Sequence, residues 1–421
     1  MLRLFKYLFV FCLLLSALSS RAASILIPMD EVQKDHLKSY GIAFWVLKDN
    51  HEVDWLLNYR GGSFMTQYDK KIEEECKIRG VSYEVIADAQ VSEIIAQVSD
   101  PSVNMDIVKL QKAPKMAVYS PKNKLPWDDA VTLVLKYAEI PFDVIYDEEV
   151  LNGALPKYDW LHMHHEDFTG QYSKFYAYHT EQWYIDDKEA QEAMAQKMGF
   201  KKVSQMKLAV ANHIREFLAG GGFLFAMCSG TETFDVATAA ASTDICESMF
   251  DGDAADPAAQ SKLDYSQTLA FQNFSLNLDP FSHSFSDIDI NNQLHGVDQT
   301  KDFFTLFDFS AKWDVVPSML TQNHERVIKG FMGLTTAYDM TKIKPGVTIM
   351  GEMKTLNEAR YIHGEYGKGQ WTFYSGHDPE DYQHMVSDPP TDLSLHPNSP
   401  GYRLILNNVL FPAAKKKKQK T

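Results

Sequence analysis

Two short segments of this 421-residue sequence hold residues whose types and spacing suit covalent chemistry. The first runs Gly220-Gly221-Gly222-Phe223-Leu224-Phe225-Ala226-Met227-Cys228-Ser229-Gly230-Thr231-Glu232-Thr233. Glycines close a helix predicted over 205–218, and five apolar residues predict a buried strand over 223–227. Cys228 falls at the C-terminal end of that strand. Small Ser229 and Gly230 follow, and a helix is predicted over 233–241. A tight strand-to-helix turn lifts a nucleophile out of its sheet. The helix tip adds partial positive charge and free N–H groups, which lower a thiol's pKa and hold an oxyanion. Cys228 is therefore the candidate nucleophile, Ser229 and Gly230 the candidate oxyanion donors, and Glu232 a pocket residue. The competing reading of Cys228 is a small core residue after a strand.

The second segment is Trp371-Thr372-Phe373-Tyr374-Ser375-Gly376-His377-Asp378-Pro379-Glu380. A strand predicted over 369–374 ends in a loop that presents His377. A thiol nucleophile needs a base, and the base needs a group to orient it. His377 fits the first role, and Asp378 or Glu380 the second. Parallel strands bring their C-terminal ends to one edge, so Cys228 and His377 are able to meet across the intervening chain.

A third segment, His162-Met163-His164-His165-Glu166-Asp167-Phe168-Thr169-Gly170, follows another predicted strand, over 159–163. Its loop would overhang the same edge, with His164 or His165 lining the pocket and Gly170 or a neighbour giving oxyanion donors. His162 and His164 share a face of an extended chain and form a weak metal pair. Asp287-Ile288-Asp289-Ile290-Asn291 matches half of a calcium loop. However, Asn292 replaces the glycine and Asp298 the glutamate, so a strand fits better. Tyr172, Phe175, Tyr176, Tyr178 and Trp183 suit either stacking on a sugar or peptide or ordinary packing. No cofactor is expected.

Elements must be built to position these loops. Strand-like and helical runs alternate from 115 to 227, which predicts a mostly parallel sheet with helices on both faces. Residues 250–345 break the rhythm and read as an acidic, β-rich insertion or as a β-rich extension of the sheet. A small N-terminal α/β segment precedes the core, with strands expected over 43–47 and 53–59 and a helix over 69–79. The expected units are a leader over 1–22, the N-terminal segment 23–112, the core in two parts (113–249 and 346–412), the insertion between them, and a lysine-rich tail over 413–421.

The composition is that of an ordinary folded chain, with 45% hydrophobic, 12% aromatic and 23% charged residues. Net charge is −15. Arg3, Lys6, Arg21 and five lysines from Lys415 to Lys420 lie at the ends; removing those eight from the 41 basic residues leaves 33 against 56 acids, a net charge of −23. Such a body repels phosphate backbones, so nucleic acid is not an expected partner. Arg3 and Lys6 before the apolar run 7–18, with Ser20 and Ala22 flanking Arg21, predict an export signal cleaved after Ala22. No later run is long enough for a membrane helix. A periplasmic or cell-envelope location follows, with a small-molecule, peptide or glycan substrate or an envelope protein as partner. Cys76, Cys228 and Cys246 would remain, an odd number that leaves at least one free; a Cys76–Cys246 bridge is one pairing.

On Met227-Cys228-Ser229-Gly230 and the His377 loop, the chain resembles the class I glutamine amidotransferase-like superfamily over roughly 113–240 and 345–411. Ala226 stands where that family's G-x-C-x-G pattern has glycine, and Glu232 where many members have glutamine. Gly376-His377-Asp378-Pro379-Glu380 is similar to the trehalose-utilisation branch. The resemblance implies a flavodoxin-like sheet and hydrolysis of an amide or related acyl bond through a thioester. In its glutaminases the acid follows the histidine by two residues, whereas Asp378 and Glu380 follow by one and three. The whole chain is similar to exported Bacteroidetes proteins automatically named asparagine synthetase B. That name does not fit the residues: cleavage would expose Ala23 instead of a cysteine, and the Ser-Gly-Gly-x-Asp-Ser loop for ATP pyrophosphate is absent. Two rival functions remain, a catalytically silent envelope binding or scaffold protein and a metal-assisted hydrolase using His162 and His164.

Overall fold

The computed structural model describes residues 22–121, 129–290, 303–308, 310–313, 325–329, 335–381 and 389–414. Among these, the strands form two sheets. The first contains β1 (Ala22–Ile27), β2 (Val53–Leu57), β3 (Ser63–Gln67), β4 (Glu84–Ala87) and β5 (Asp106–Leu110) in the order β4-β1-β3-β2-β5. All of its pairings are antiparallel. The strand expected over 43–47 lies inside a helix, His36–Lys48, whose first turn is capped by Asp35 accepting the Lys38 N–H at 2.8 Å. That helix is buried on nearly every side, so its apolar run carries no period to separate it from a strand. The charged helix is found at Lys70–Arg79, opened by Asp69 and closed by Gly80.

The second sheet is mixed. Its strands are β6 (Met116–Tyr119), β7 (Asp143–Ile145), β8 (Trp160–Met163), β9 (Phe223–Met227), β10 (Phe303–Leu306), β11 (Val327–Lys329), β12 (Tyr338–Asp339), β13 (Thr348–Met353), β14 (Glu358–Tyr366) and β15 (Gly369–Tyr374). The order is β11-β10-β13-β14-β15-β9-β8-β6-β7, with β12 on β14. Pairings from β7 to β15 are parallel, and those from β15 to β11 are antiparallel. This corrects the expected flavodoxin-like, mostly parallel sheet. The turn at Gly367-Lys368 sends the chain straight from β14 into β15, and so short a connection permits only an antiparallel pair. Residues 250–345 divide between the two readings of them. Its described residues up to 290 are mostly irregular, with short turns of helix at Ala259–Lys262 and Tyr265–Gln267. The later strands β10, β11 and β12 extend the main sheet.

The parallel stretch positions the chemistry. Along β9, Phe223, Phe225 and Met227 enter a core shared with helices His36–Lys48, Ala130–Tyr137 and Pro400–Leu410. Leu224 and Ala226 enter the opposite core, against helices Val203–Gly220 and Ser229–Ala239. Alternation with both faces buried explains why the run is apolar throughout. Burial of a phenylalanine or leucine stabilises by about 1.5–3 kcal/mol, which fixes the strand's register firmly. In that register Met227 lies beside Tyr374, and Met163 beside Ala226. Cys228, His164 and the loop carrying His377 therefore leave one edge together.

The insertion is fastened to the helix behind the cysteine. The Asp235 carboxylate accepts the N–H groups of Leu269, Ala270 and Phe271 at 2.7, 2.7 and 2.9 Å. Lys174 Nζ donates to the Asn277, Asp279 and Ser284 carbonyls. No helix among the described residues is long and apolar enough to cross a membrane. The leader expected over 1–22, except Ala22, and the lysines from 415 onward lie outside the described residues.

Candidate active site

Cys228 sits between β9 and the Ser229–Ala239 helix with φ 49° and ψ −143°, a backbone conformation that side-chain-bearing residues avoid. Such a conformation costs on the order of 1–3 kcal/mol and persists only when its surroundings over-determine it. Here the Cys228 N–H is held by the Tyr374 carbonyl at 3.2 Å, and Thr231 N–H and Oγ1 return to the Cys228 carbonyl at 3.1 and 2.7 Å. The thiol is fully buried, and its Sγ lies 3.0 Å from His377 Nε2. Burial pushes the thiol up, but the His377 imidazole opposes it by charge and by hydrogen bond. Backbone N–H groups of Thr335 and Ser229 add to that, and the thiol ends below its ordinary value.

A second imidazole completes the cluster. His164, buried, packs edge-on against His377 with ring centroids 4.7 Å apart. Ring nitrogens of His164 and His377 and the Cys228 sulfur all fall within 4.8 Å of one another. His164 Nδ1 is 3.9 Å from Asp129 Oδ1. His162 is different: Nε2 meets Asp129 Oδ1 at 3.1 Å and Nδ1 meets the Phe225 carbonyl at 3.0 Å. Both of its nitrogens are engaged inside the sheet, so the expected His162–His164 metal pair is not formed. Asp129, fully buried, is held down to about 2: burial alone would raise it, and His162, His164 and the Val131 N–H outweigh that.

Two expected orienting acids are placed elsewhere. Asp378 Oδ1 accepts the Glu380 and Asp381 N–H groups at 2.8 and 3.3 Å, and its Oδ2 accepts the Tyr402 hydroxyl. Glu380 pairs with Lys329 and His396, each at 3.3 Å. Asp378 thus shapes the loop that carries His377, and Glu380 ties it to β11. The oxyanion assignment is also revised. Gly230 donates its N–H to the His164 carbonyl at 2.8 Å, and a Cβ at 230 would stand 2.2 Å from that oxygen. Its glycine is required for close approach, and its N–H is already used. Ser229 remains beside the sulfur. Gly170 packs on the Ser204 backbone, in the loop whose Thr169 carbonyl accepts from Cys246. His165, half-buried, stacks at 6.1 Å on His377.

Glu232 is one turn into the helix and fully enclosed by the insertion. Ser286 Oγ donates to its Oε1 at 2.6 Å and Thr335 Oγ1 to its Oε2 at 3.2 Å. Burial pushes this carboxyl up to about 7. Asp289 beside it is raised further, first by burial and then by the Glu232 charge, while accepting the Thr336 and Ala337 N–H groups. Tyr338 closes the wall by donating to Thr231 Oγ1 at 3.1 Å.

Sequence reasoning missed Asp129, Thr335 and Tyr338, and met Asp289 only within a half-matched calcium loop. Asp129 had a detectable signal, a helix-capping acid before an apolar run, whose side chain accepts from Val131 N–H at 3.0 Å. Of the half-match to a calcium loop, Asp287 accepts from Ser275 and pairs with Lys342, Asp289 takes the Thr336 and Ala337 N–H groups, and 291–300 lie outside the described residues. Phe175, Tyr178 and Trp183 pack on one another. Cys76, Cys228 and Cys246 are all free, so the Cys76–Cys246 bridge is not formed. A cavity of about 260 Å³ lies beside Cys246, Lys202 and Thr169, not at Cys228.

No protein-family model matches the chain, and no curated protein does. Among solved structures it is similar to two cytoplasmic proteins of Salmonella typhimurium, at 10% and 12% identity and TM-scores of 0.32 and 0.34. Each match covers 72% of this chain and 100% of the other. A β-galactosidase from Bacillus circulans sp. alkalophilus matches at 12% identity and a TM-score of 0.26, over 64% of this chain and 29% of the enzyme. Likeness of this extent carries no information about chemistry.

Proposed function

We propose that the chain is a cysteine-dependent hydrolase of an amide or related acyl bond. One observation carries the reading: Cys228 Sγ lies 3.0 Å from His377 Nε2 on a strained turn at a helix tip. The Cys228 sulfur attacks the carbonyl carbon, with its proton held on His377. The oxyanion takes the Ser229 and Thr335 N–H groups, which already point at the sulfur. His377 then protonates the leaving group, the C–N or C–O bond breaks, and a thioester remains. Water attacks that thioester with His377 as base, and the acid and the thiol are released. His164 positions the His377 ring, with Asp129 behind it. Export belongs to the same proposal and rests on the sequence of 1–22 alone.

Alkylation tests the reading. Iodoacetamide at pH 6.5 should modify Cys228 faster than a free thiol of pKa ~8.5. A rate no faster than the free thiol would end it. A second reading, a silent binding protein of the cell envelope, is favoured by the complete burial of Cys228 and the engaged Gly230 N–H. It requires that amide and thioester probes leave no acyl adduct on Cys228, which intact-mass measurement detects.

A further inference from the structure

The three side chains that meet at the sheet edge also form a ligand set. We propose that His164, Cys228 and His377 capture a Zn²⁺ ion, and that the bound metal holds the nucleophile in an inactive state. Capture rests on geometry alone; only the inactivation rests on the hydrolase reading.

The donors are one sulfur and two imidazole nitrogens, all within 4.8 Å of one another. Tetrahedral Zn²⁺, with Zn–S of about 2.3 Å and Zn–N of about 2.0 Å, places sulfur and nitrogen about 3.5 Å apart. The Cys228–His377 separation of 3.0 Å needs to open by only about half an ångström. His164 Nδ1 lies 3.9 Å from Asp129 Oδ1, and Nε2 of that ring is the atom assigned to the metal. A carboxylate behind a ligating histidine fixes its ring and raises its basicity, so Asp129 serves the metal as an outer partner. A soft thiolate with two imidazoles selects Zn²⁺ over Mg²⁺ or Ca²⁺, which prefer oxygen.

Charge and protons balance simply. The thiol and His377 share one proton between sulfur and Nε2; metal binding expels that proton to solvent and puts both lone pairs on zinc. A sulfur bound this way no longer attacks a carbonyl, and His377 no longer accepts its proton. A chelator would restore both.

The cluster at Cys246 serves as an internal contrast. Asp244, Cys246 and Asp251 also converge, but Lys202 Nζ already sits 2.7 Å from Asp244 and 2.9 Å from Asp251. An ammonium stands where a cation would go.

Co²⁺ titration of the chelator-stripped full chain is the test. Binding of one Co²⁺ per chain is expected, with a thiolate-to-cobalt charge-transfer absorption that Zn²⁺ displaces. The absorption should vanish in Cys228→Ser and persist in Cys246→Ser. Asp129→Asn should weaken Co²⁺ by about tenfold or more, and His164→Gln by more than that. Far-UV circular dichroism confirms that each variant is folded, and should His164→Gln fail, the Cys228→Ser and Cys246→Ser pair decides alone. No charge-transfer band in the wild type, or a band that survives Cys228→Ser, overturns the metal site. Zn²⁺ should also slow iodoacetamide at Cys228 at least fiftyfold, reversed by chelator. Fast alkylation without a cobalt band defeats the metal site alone; a cobalt band with slow alkylation in chelator defeats the hydrolase reading alone.

Discussion

Cys228 and Cys246 lie in one protein, both without solvent exposure, and the same burial acts on each. Their chemistry diverges because of their neighbours. At Cys246 burial pushes the thiol up, and the Asp251, Asp167 and Asp244 charges push it further; its sulfur donates to the Thr169 carbonyl at 3.2 Å, and a hydrogen bond with the Ser204 side chain opposes the rise without overcoming it. At Cys228 the same burial is outweighed by an imidazole and two backbone N–H groups. Cys76, buried and with acidic neighbours of its own, is pushed up to about 12. A buried thiol is inert by default, and a positive partner in hydrogen-bond contact reverses that.

The largest consequence is selectivity within one molecule. A thiol near 12 exposes about a thousandth of the thiolate of one at or below 9 when both are assayed at neutral pH. Alkylation of the native protein at pH 7, read by peptide mass spectrometry, should label Cys228 at least about 10³-fold faster than Cys76 or Cys246. Comparable rates at the three would break the comparison.

Next comes the cause of the difference. In His377→Ala the strongest influence left on Cys228 is burial, opposed only by the Thr335 and Ser229 N–H groups. The thiol should rise, and each unit costs a factor of ten in thiolate below its midpoint. Labelling at pH 7 is expected to fall and the pH midpoint to move upward, because the largest opposing influence on the buried thiol is gone. Cys246 should not change. A profile that stays in place would mean that the helix tip, not the imidazole, activates the sulfur.

The same contrast explains what was legible in the sequence. The Cys228 turn was readable because three local signals agree: glycines, a run buried on both faces, and small residues before a helix. The His377 loop was readable because a strand ends there. Topology was not readable beyond β9, because a turn as short as Gly367-Lys368 decides between parallel and antiparallel pairing, and that choice overturned the expected sheet. Partners supplied from far away in the chain were hidden as well. Asp129 reaches His162 and His164 from another helix cap, and Thr335 and Asp289 arrive from a stretch with little period of its own. Near-neighbour spacing pointed to Asp378 and Glu380, and their carboxylates serve the loop instead.

Acids offer a third, smaller test. Around Cys246 the acids Asp244 and Asp251 share the Lys202 ammonium, whereas Glu232 near Cys228 has no such close cation among the described residues and is relieved by keeping its proton. Its carboxyl is raised from 4.5 to about 7, chiefly by burial. A raised folded-state value means stability that is fully present below the unfolded value and lost as pH rises through the folded one. Between pH 4.5 and 8.5 the Glu232 carboxyl alone should therefore cost the wild type about 3 kcal/mol of stability in urea titrations. Glu232→Gln keeps one acceptor oxygen for the Ser286 and Thr335 hydroxyls and has nothing to ionise, so the Glu232 share of the slope should go; the share that stays belongs to Asp289, which is raised further. A slope untouched by the substitution would place the alkaline sensitivity elsewhere.

The smallest expected effect falls on the inert side of the comparison. Cys246 packs among Tyr172, Tyr184, Met206 and Phe250, and the acids beside it keep its proton on sulfur. Cys246→Ala removes one atom's packing and a weak contact to Thr169, and should cost about 1 kcal/mol in urea unfolding. It should leave the rate and pH midpoint of Cys228 labelling where they were. The second half of that expectation is the sharper one. The Asp167–Gly170 loop joins the two regions, since its start follows His164-His165-Glu166 and Thr169 touches Cys246. If a single atom removed at Cys246 shifts the Cys228 midpoint, the loop transmits strain to His164, and the two thiols belong to one coupled unit instead of two independent environments.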